Sequence, residues 1–352
     1  MLNCDILVVG AGPAGSSAAM EASKEGADVL LIEKNKFIGK PVRCAGYIPK
    51  LLLNEAGIHQ ESVAQEIHGM LTYLPNGDII KTRSPGYILN RDIFDNYLAM
   101  IAEEAGVTVR TNTSCISKKD DMVLIQEKGK NMKIQPRIII GADGPKSTVG
   151  RWIDSINKEF LLGMQYTVAL TNKLNHTEIY FDRDFFGGYG WLFPKEKLAN
   201  VGVGVKINSD KKNNRSIMNC LFRFIKFLND ENKIRDKVFS FTSGLIPVGG
   251  PLVTVKDNIM LVGDAAGHTH SITGGGIPQA VLCGRIAGGI AAKAVNNENL
   301  ETLKEYENQW KNIFDAELKR AKIKRKYMEK YWNNLDLIIK KCWTACREYY
   351  YE

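Results

Sequence analysis

No uninterrupted apolar run in this chain approaches the ~20 residues that a helical bilayer span requires. The N-terminus also lacks the cationic start of a secretory signal. Asp5 interrupts its apolar stretch, which runs on into a glycine loop and so reads as a buried strand. The seven cysteines (4, 44, 115, 220, 283, 342 and 346) are odd in number and contain no CxxC pair. That argues against a disulfide scaffold and against zinc, and for a reducing, cytoplasmic compartment. The five histidines have no ligand spacing; His268 and His270 stand two apart in a loop, and no metal is expected there. Repeats and low-complexity tracts are missing too, and so is a second dinucleotide fingerprint, since Gly202-Val203-Gly204 sits mid-strand without a turn.

What is present is ordinary in bulk: 352 residues, 44% hydrophobic and 24% charged, enough for a large core and two joined domains. The net charge of +8 concentrates near the C-terminus, at Lys319, Arg320, Lys322, Lys324, Arg325, Lys326, Lys330, Lys340 and Lys341. Tyr327, Tyr331, Trp332, Leu335, Leu337, Ile338 and Ile339 lie among them. Such a segment fits either a helix resting on an anionic membrane or a solvated face over a core stripe. Nucleic acid is not an expected partner.

Three glycine-rich segments carry the chemistry. Gly10-Ala11-Gly12-Pro13-Ala14-Gly15 follows the apolar run Ile6–Val9. Gly10 permits a tight turn, Gly12 lets the backbone approach a pyrophosphate, and Gly15 lets the following helix pack on the strand. Glu33 ends the next strand and suits the hydroxyls of an adenosine ribose; a 2′-phosphate would be repelled there. Gly141-Ala142-Asp143-Gly144 follows Ile138–Ile140, and Gly263-Asp264-Ala265-Ala266-Gly267 follows Ile259–Val262. Asp264 suits a ribityl chain, and the Gly274-Gly275-Gly276-Ile277 backbone suits close approach to an isoalloxazine. A nicotinamide enzyme needs only the first segment; all three in this order point to FAD.

The pattern between them predicts strand Ile6–Val9, helix Ala14–Glu25 closed by Gly26, and strand Val29–Ile32. It continues with irregular residues 35–90, a helix from Arg91 to Glu104, and strands at Val107–Arg110, Val123–Gln126 and Lys133–Ile140. A second sheet follows at Met164–Thr171, Glu178–Phe181 and Val201–Ile207. Residues 208–237 read as a polar surface helix, and 300 onward as helical. The fold class is α/β. A Rossmann-type FAD-binding domain spans 1–150 and 245–300, with parts of 35–90 on the substrate side. An inserted β-sheet substrate domain spans 151–244, and a basic helical segment 301–352.

With Glu33 and Ser147, the three segments resemble the flavoprotein group of the aromatic hydroxylases. Pro41-Val42-Arg43-Cys44-Ala45-Gly46, Gly188-Tyr189-Gly190-Trp191-Leu192-Phe193-Pro194-Lys195 and Thr273-Gly274-Gly275-Gly276-Ile277 resemble the geranylgeranyl reductase family. Within it, they resemble the archaeal branch acting on digeranylgeranylglycerophospholipids. The likeness runs from residue 1 to about 294. It implies FAD contacts at Ala14, Glu33, Cys44, Ala45, Tyr47, Arg91, Cys115, Asp264, Gly276 and Ile277, with Cys115 acting through its backbone. It also implies hydride delivery from the reduced flavin to an isolated C=C bond, with a proton completing the reduction. Cys44, following cationic Arg43 in a glycine-flanked loop, is the candidate catalytic residue. Tyr189, Trp191 and Phe193 alternate on one strand face and, with Pro194, are candidate walls for a prenyl chain. Tyr47 is bulkier than the residue usual at its place.

An isoprenoid lipid is therefore the expected substrate, on a monomer or dimer located in the cytoplasm or peripherally on the inner face of the membrane. Electrons are expected from transiently bound NAD(P)H or a ferredoxin-type carrier. Three alternatives stay open: a monooxygenase of an aromatic or quinone substrate, a menaquinone side-chain reductase, and a flavin-binding lipid protein without turnover.

Overall fold

The computed structural model describes residues 2–50, 59–207 and 217–343. Two large sheets divide the chain. The first runs in the order Val255–Lys256, Ile259–Leu261, Lys130–Gly141, Leu2–Val9, Val29–Ile32, Thr108–Arg110; Met122–Glu127 and Thr113–Lys119 fold off Lys130–Gly141. Its central pairings are parallel, with Val8 level with Leu31 on one side and Ile140 on the other. Strands buried on both faces read as unbroken aliphatic runs, as Ile6-Leu7-Val8-Val9 does. The connections leave strand Leu2–Val9 in opposite directions, so a ligand crevice opens beyond its carboxyl end.

Helices Pro13–Lys24 and Ile277–Asn296 pack together over this sheet. Their backbones touch because Gly284 and Gly288 lack side chains. A Cβ on Gly284 would lie 2.3 Å from the Ala14 carbonyl oxygen, and one on Gly288 2.1 Å from that of Ala18. The last glycine segment is thereby locked to the first, 260 residues away in sequence.

The second sheet has seven strands in the order Ile234–Pro247, Phe160–Leu170, Leu198–Lys206, Tyr189–Lys195, His176–Tyr180, Gly69–Tyr73, Ile79–Thr82. One face is covered by helix Ile217–Asp230, whose Leu221, Phe224 and Leu228 pack on Leu192, Val201 and Val203. Residues 208–237 are therefore not a uniformly polar surface helix. The helix has an apolar side buried against the sheet, the chain is extended again from Ile234, and 208–216 lie outside the described residues. A small third sheet (Val63–Ile67, Gly86–Leu89, Tyr47–Pro49) bridges toward the first.

The basic C-terminal segment folds back as helices Ala316–Lys330 and Leu335–Cys342. Met328, Trp332, Leu335, Ile338 and Ile339 are buried in one cluster with Trp191 and Phe193 of the second sheet. Its aromatic and aliphatic stripe is thus core. Ile323, Tyr327 and Leu337 remain exposed on its outer side. Among the described residues, no helix is long and apolar enough to cross a membrane.

Candidate cofactor and substrate site

Gly10 adopts φ +103°, and a Cβ there would sit 2.5 Å from the Ala142 carbonyl oxygen. Gly12 is different. Nothing lies within 4 Å of the Cβ it lacks, and it opens helix Pro13–Lys24 without any side-chain cap. The first-turn amides are thus left without a side-chain acceptor, which is what an anion at a helix N-terminus requires. Gly15 sits so close to the turn that its Cβ would fall 1.8 Å from the Gly10 carbonyl oxygen.

Glu33 lies beside this turn. Its carboxylate accepts the Ala11 amide at 3.0 Å, and the Asn35 amide and side chain at 2.8 and 2.7 Å. Cys115 is half-buried on strand Thr113–Lys119. Burial pushes its thiol up to about 12, with Asp143 adding to the effect, which suits a backbone rather than a thiol role.

The second glycine segment lies against the first, with the Ala142 carbonyl next to Gly10. Asp143 accepts hydrogen bonds from the Ser147 hydroxyl at 2.5 Å and the Thr148 amide at 2.6 Å, capping helix Thr148–Trp152. Its carboxylate is taken, and the segment buttresses Gly10 from below through Ala142.

In the third segment, the Asp264 carboxylate accepts the Thr269 hydroxyl at 2.6 Å. Burial pushes this carboxyl up, while Thr269 and Arg91 pull it back down. A Cβ on Gly276 would lie 3.6 Å from Asp264 Oδ1, so the Gly274–Ile277 loop and the acid form one surface. Gly276 opens helix Ile277–Asn296, again with no side-chain cap and with Pro278 in the first turn.

Arg91 and Cys44 meet between these pieces. The Arg91 guanidinium donates two bonds of 3.0 Å to Asp95, and both side chains are largely buried. Burial opposes its charge, but the neighbouring Asp95, with a smaller contribution from Cys44, outweighs that and holds the pKa up. The cation reaching Cys44 is therefore Arg91. Arg43, expected in that role, lays its aliphatic stem along Gly244. The Cys44 sulfur also accepts the Gly46 amide at 3.4 Å.

The second sheet grips the same loop. Trp191 Nε1 donates to Gln165 Oε1 at 3.1 Å, Gln165 Nε2 donates to the Cys44 carbonyl at 3.4 Å, and Asn200 Nδ2 donates to the Ala45 carbonyl at 3.1 Å. The Trp191 indole fills space left by glycines, since a Cβ on Gly202 would lie 2.4 Å from its ring. That explains Gly202-Val203-Gly204. Tyr189 packs edge-on to Trp191 and to Trp343, and its hydroxyl donates to the Thr273 carbonyl. Phe193 meets the ring edge of Tyr47, whose hydroxyl donates to Ser84 O at 2.9 Å and whose phenol burial pushes up to about 12. Pro194 alternates to the opposite face with Leu192 and does not join the stripe.

Gln165, Asn200 and Trp343 were not picked out from sequence. A buried polar residue within an alternating strand was the available signal for the first two.

An uncapped helix N-terminus, a ribose-side carboxylate, a buried acid and a glycine loop at a second helix start together fit FAD. Family models agree: residues 3–177 match an FAD binding domain, and residues 160–246 match the geranylgeranyl reductase catalytic domain. Digeranylgeranylglycerophospholipid reductase 2 of Methanosphaera stadtmanae is 40% identical over 329 residues, 87% of this chain and 82% of that one. The chain belongs to the digeranylgeranylglycerophospholipid reductase family. The Methanocaldococcus jannaschii reductase is 38% identical, covering 93% of this chain and 87% of its own. Among solved structures, a geranylgeranyl bacteriochlorophyll reductase-like protein of Thermoplasma acidophilum superposes with a TM-score of 0.85. It is 30% identical and covers 98% of this chain and 92% of its own. The cofactor of this reductase is FAD.

Proposed function

We propose that this reductase saturates isolated C=C bonds in a geranylgeranyl-type chain carried by a glycerophospholipid. The observation that carries the reading is the aromatic stripe Tyr189–Trp191–Phe193, which lies within one apolar cluster and is tied by hydrogen bonds to the Cys44 loop. FAD, when reduced, supplies the hydride. The amides of Gly12, Ala14 and Gly15 would hold the pyrophosphate, and Glu33 would hold the ribose. Asp264 takes the ribityl hydroxyls, and the Gly275–Ile277 backbone borders the ring system. An alkene has no carbonyl on which charge can collect, so the proton must arrive close to the hydride. The stripe excludes water, fixes the chain and offers π-faces to positive charge developing on carbon. Cys44, at the edge of that stripe, is the proton donor in this reading.

Photoreduced holoprotein mixed with a geranylgeranyl glycerophospholipid should give products heavier by two hydrogens per saturated bond, read by mass spectrometry. Gain of oxygen under air with NAD(P)H would establish a monooxygenase instead. Reduction confined to a menaquinone side chain would move the substrate within the reductase class, and no product with any prenyl substrate would overturn the reading.

We further infer that the enzyme works peripherally on the membrane. Exposed Ile323, Tyr327 and Leu337 lie on the outer side of the helices that carry Lys319, Lys326, Lys330 and Lys341. Vesicles containing anionic lipid should carry the protein upward in a flotation gradient, and raised salt should release it. Equal recovery with neutral vesicles would remove the inference.

A further inference from the structure

Arg325 is an arginine 2% exposed in the middle of helix Ala316–Lys330. Nη1 donates to the Ser271 carbonyl at 2.6 Å, and Nη2 donates to the Gly187 carbonyl at 2.5 Å. Nε lies 2.9 Å from Glu329, and Glu329 in turn pairs with Lys206, which pairs with Glu159. One side chain thus joins three segments: the C-terminal helix, the loop leading to Gly274–Ile277, and the turn that starts the Tyr189 strand. Two residues on, the same loop is held again where Tyr189 donates to Thr273 O. Gly187 leaves room for this arrangement, because it has φ +72° and a Cβ there would approach Arg325 Nη2 to 3.1 Å.

Burial works against this charge, and a well-packed Met or Leu would fill the same space at lower desolvation cost. What an aliphatic side chain cannot do is fix two carbonyls from different segments at once. We propose that Arg325 is a positioning residue for the reduction. It sets the Gly274–Ile277 backbone against the flavin ring and the Tyr189–Phe193 stripe against both, so that the cofactor edge and the chain-binding wall keep one spacing. A misplacement of about 1 Å at a reacting pair can cost on the order of 100-fold in rate.

The turnover part of this inference rests on the proposed function, whereas its effect on the loop does not. Arg325→Met and Arg325→Lys are compared with wild type in three measurements. Amide hydrogen exchange across 270–277 is followed in the apoprotein, the flavin midpoint potential is measured in the holoprotein, and prenyl-lipid reduction is measured per bound FAD in single turnover. Faster exchange confined to 270–277 and 187–189, a shifted potential and an order-of-100-fold slower turnover are expected for Arg325→Met. Arg325→Lys, able to reach one carbonyl, should fall between. Should Arg325→Met not fold, Glu329→Gln tests the same clasp, with a smaller displacement of exchange and potential expected in the same direction. Wild-type exchange and potential in the folded variants would overturn the proposal, even if no lipid substrate had been found. A global rise in exchange with unchanged potential would also overturn it, by showing a purely structural role.

Discussion

Cys44→Ser is expected to keep FAD bound while slowing double-bond reduction by about 100-fold or more, the scale of a lost general acid. Binding should survive because a serine oxygen can still accept the Gly46 amide, and because Gln165 and Asn200 hold the loop through its carbonyls. The hydroxyl is a far weaker acid than the thiol, so a step that needs a proton beside the alkene loses its donor. The Arg91 guanidinium at the sulfur sharpens the expectation. Its charge acts on the Cys44 position, where the anion left by proton transfer would form. The check is single-turnover reduction in H2O and D2O, with flavin absorbance confirming full occupancy. A slower reaction with a larger solvent isotope effect supports the assignment, whereas wild-type rates would hand the proton to water. Cys115→Ser is the matched control and should turn over normally, since that thiol is half-buried away from the stripe and pushed up to about 12.

The parts of the site visible in the sequence are those whose geometry is local. Gly10, Gly12 and Gly15 are dictated by one turn and one helix start, and Glu33 by the end of the next strand. These constraints act over a few residues and leave a spacing that can be read. Asp143 shows where a local pattern stops deciding. A strand-end Asp before a helix has the same local look whether it grips a ligand or caps the helix, and only its bonds to Ser147 and Thr148 decide. That Gln165 links Trp191 to Cys44 could not be read, because the second link spans 121 residues and no window of sequence contains both partners. The basic C-terminal stripe was ambiguous on physical grounds, since an apolar helix face has the same period against lipid as against a protein core. Only the packing of Trp332, Leu335 and Ile338 under the second sheet separates the two.

Gly15→Val and Gly12→Val should divide the glycine turn into its two functions. The first places atoms where the Gly10 carbonyl oxygen already stands, 1.8 Å from the Cβ position, and Ala142 blocks retreat at 3.0 Å. Helix Pro13–Lys24 must then lift from the sheet, which also pulls on its contact with Gly284 and Gly288. Overpacking of this severity exceeds the usual ~1–3 kcal/mol, so the apoprotein should melt well below wild type or fail to fold, and FAD binding should be lost with it. A Cβ at Gly12 meets no atom within 4 Å beyond its chain neighbours, and the φ of −76° is open to any residue. Its apoprotein should melt close to wild type. The side chain nevertheless fills the space in which the phosphates meet the first-turn amides, so FAD affinity should fall by about 100-fold or more, from the loss of roughly 3 kcal/mol of charge-assisted hydrogen bonding. Thermal unfolding of both apoproteins and FAD titration by fluorescence quenching separate the cases. If Gly12→Val bound FAD as wild type does, the pyrophosphate would have to lie elsewhere than over this helix. If both variants lost stability equally, the turn would be a packing device, and its open face would have no ligand to explain it.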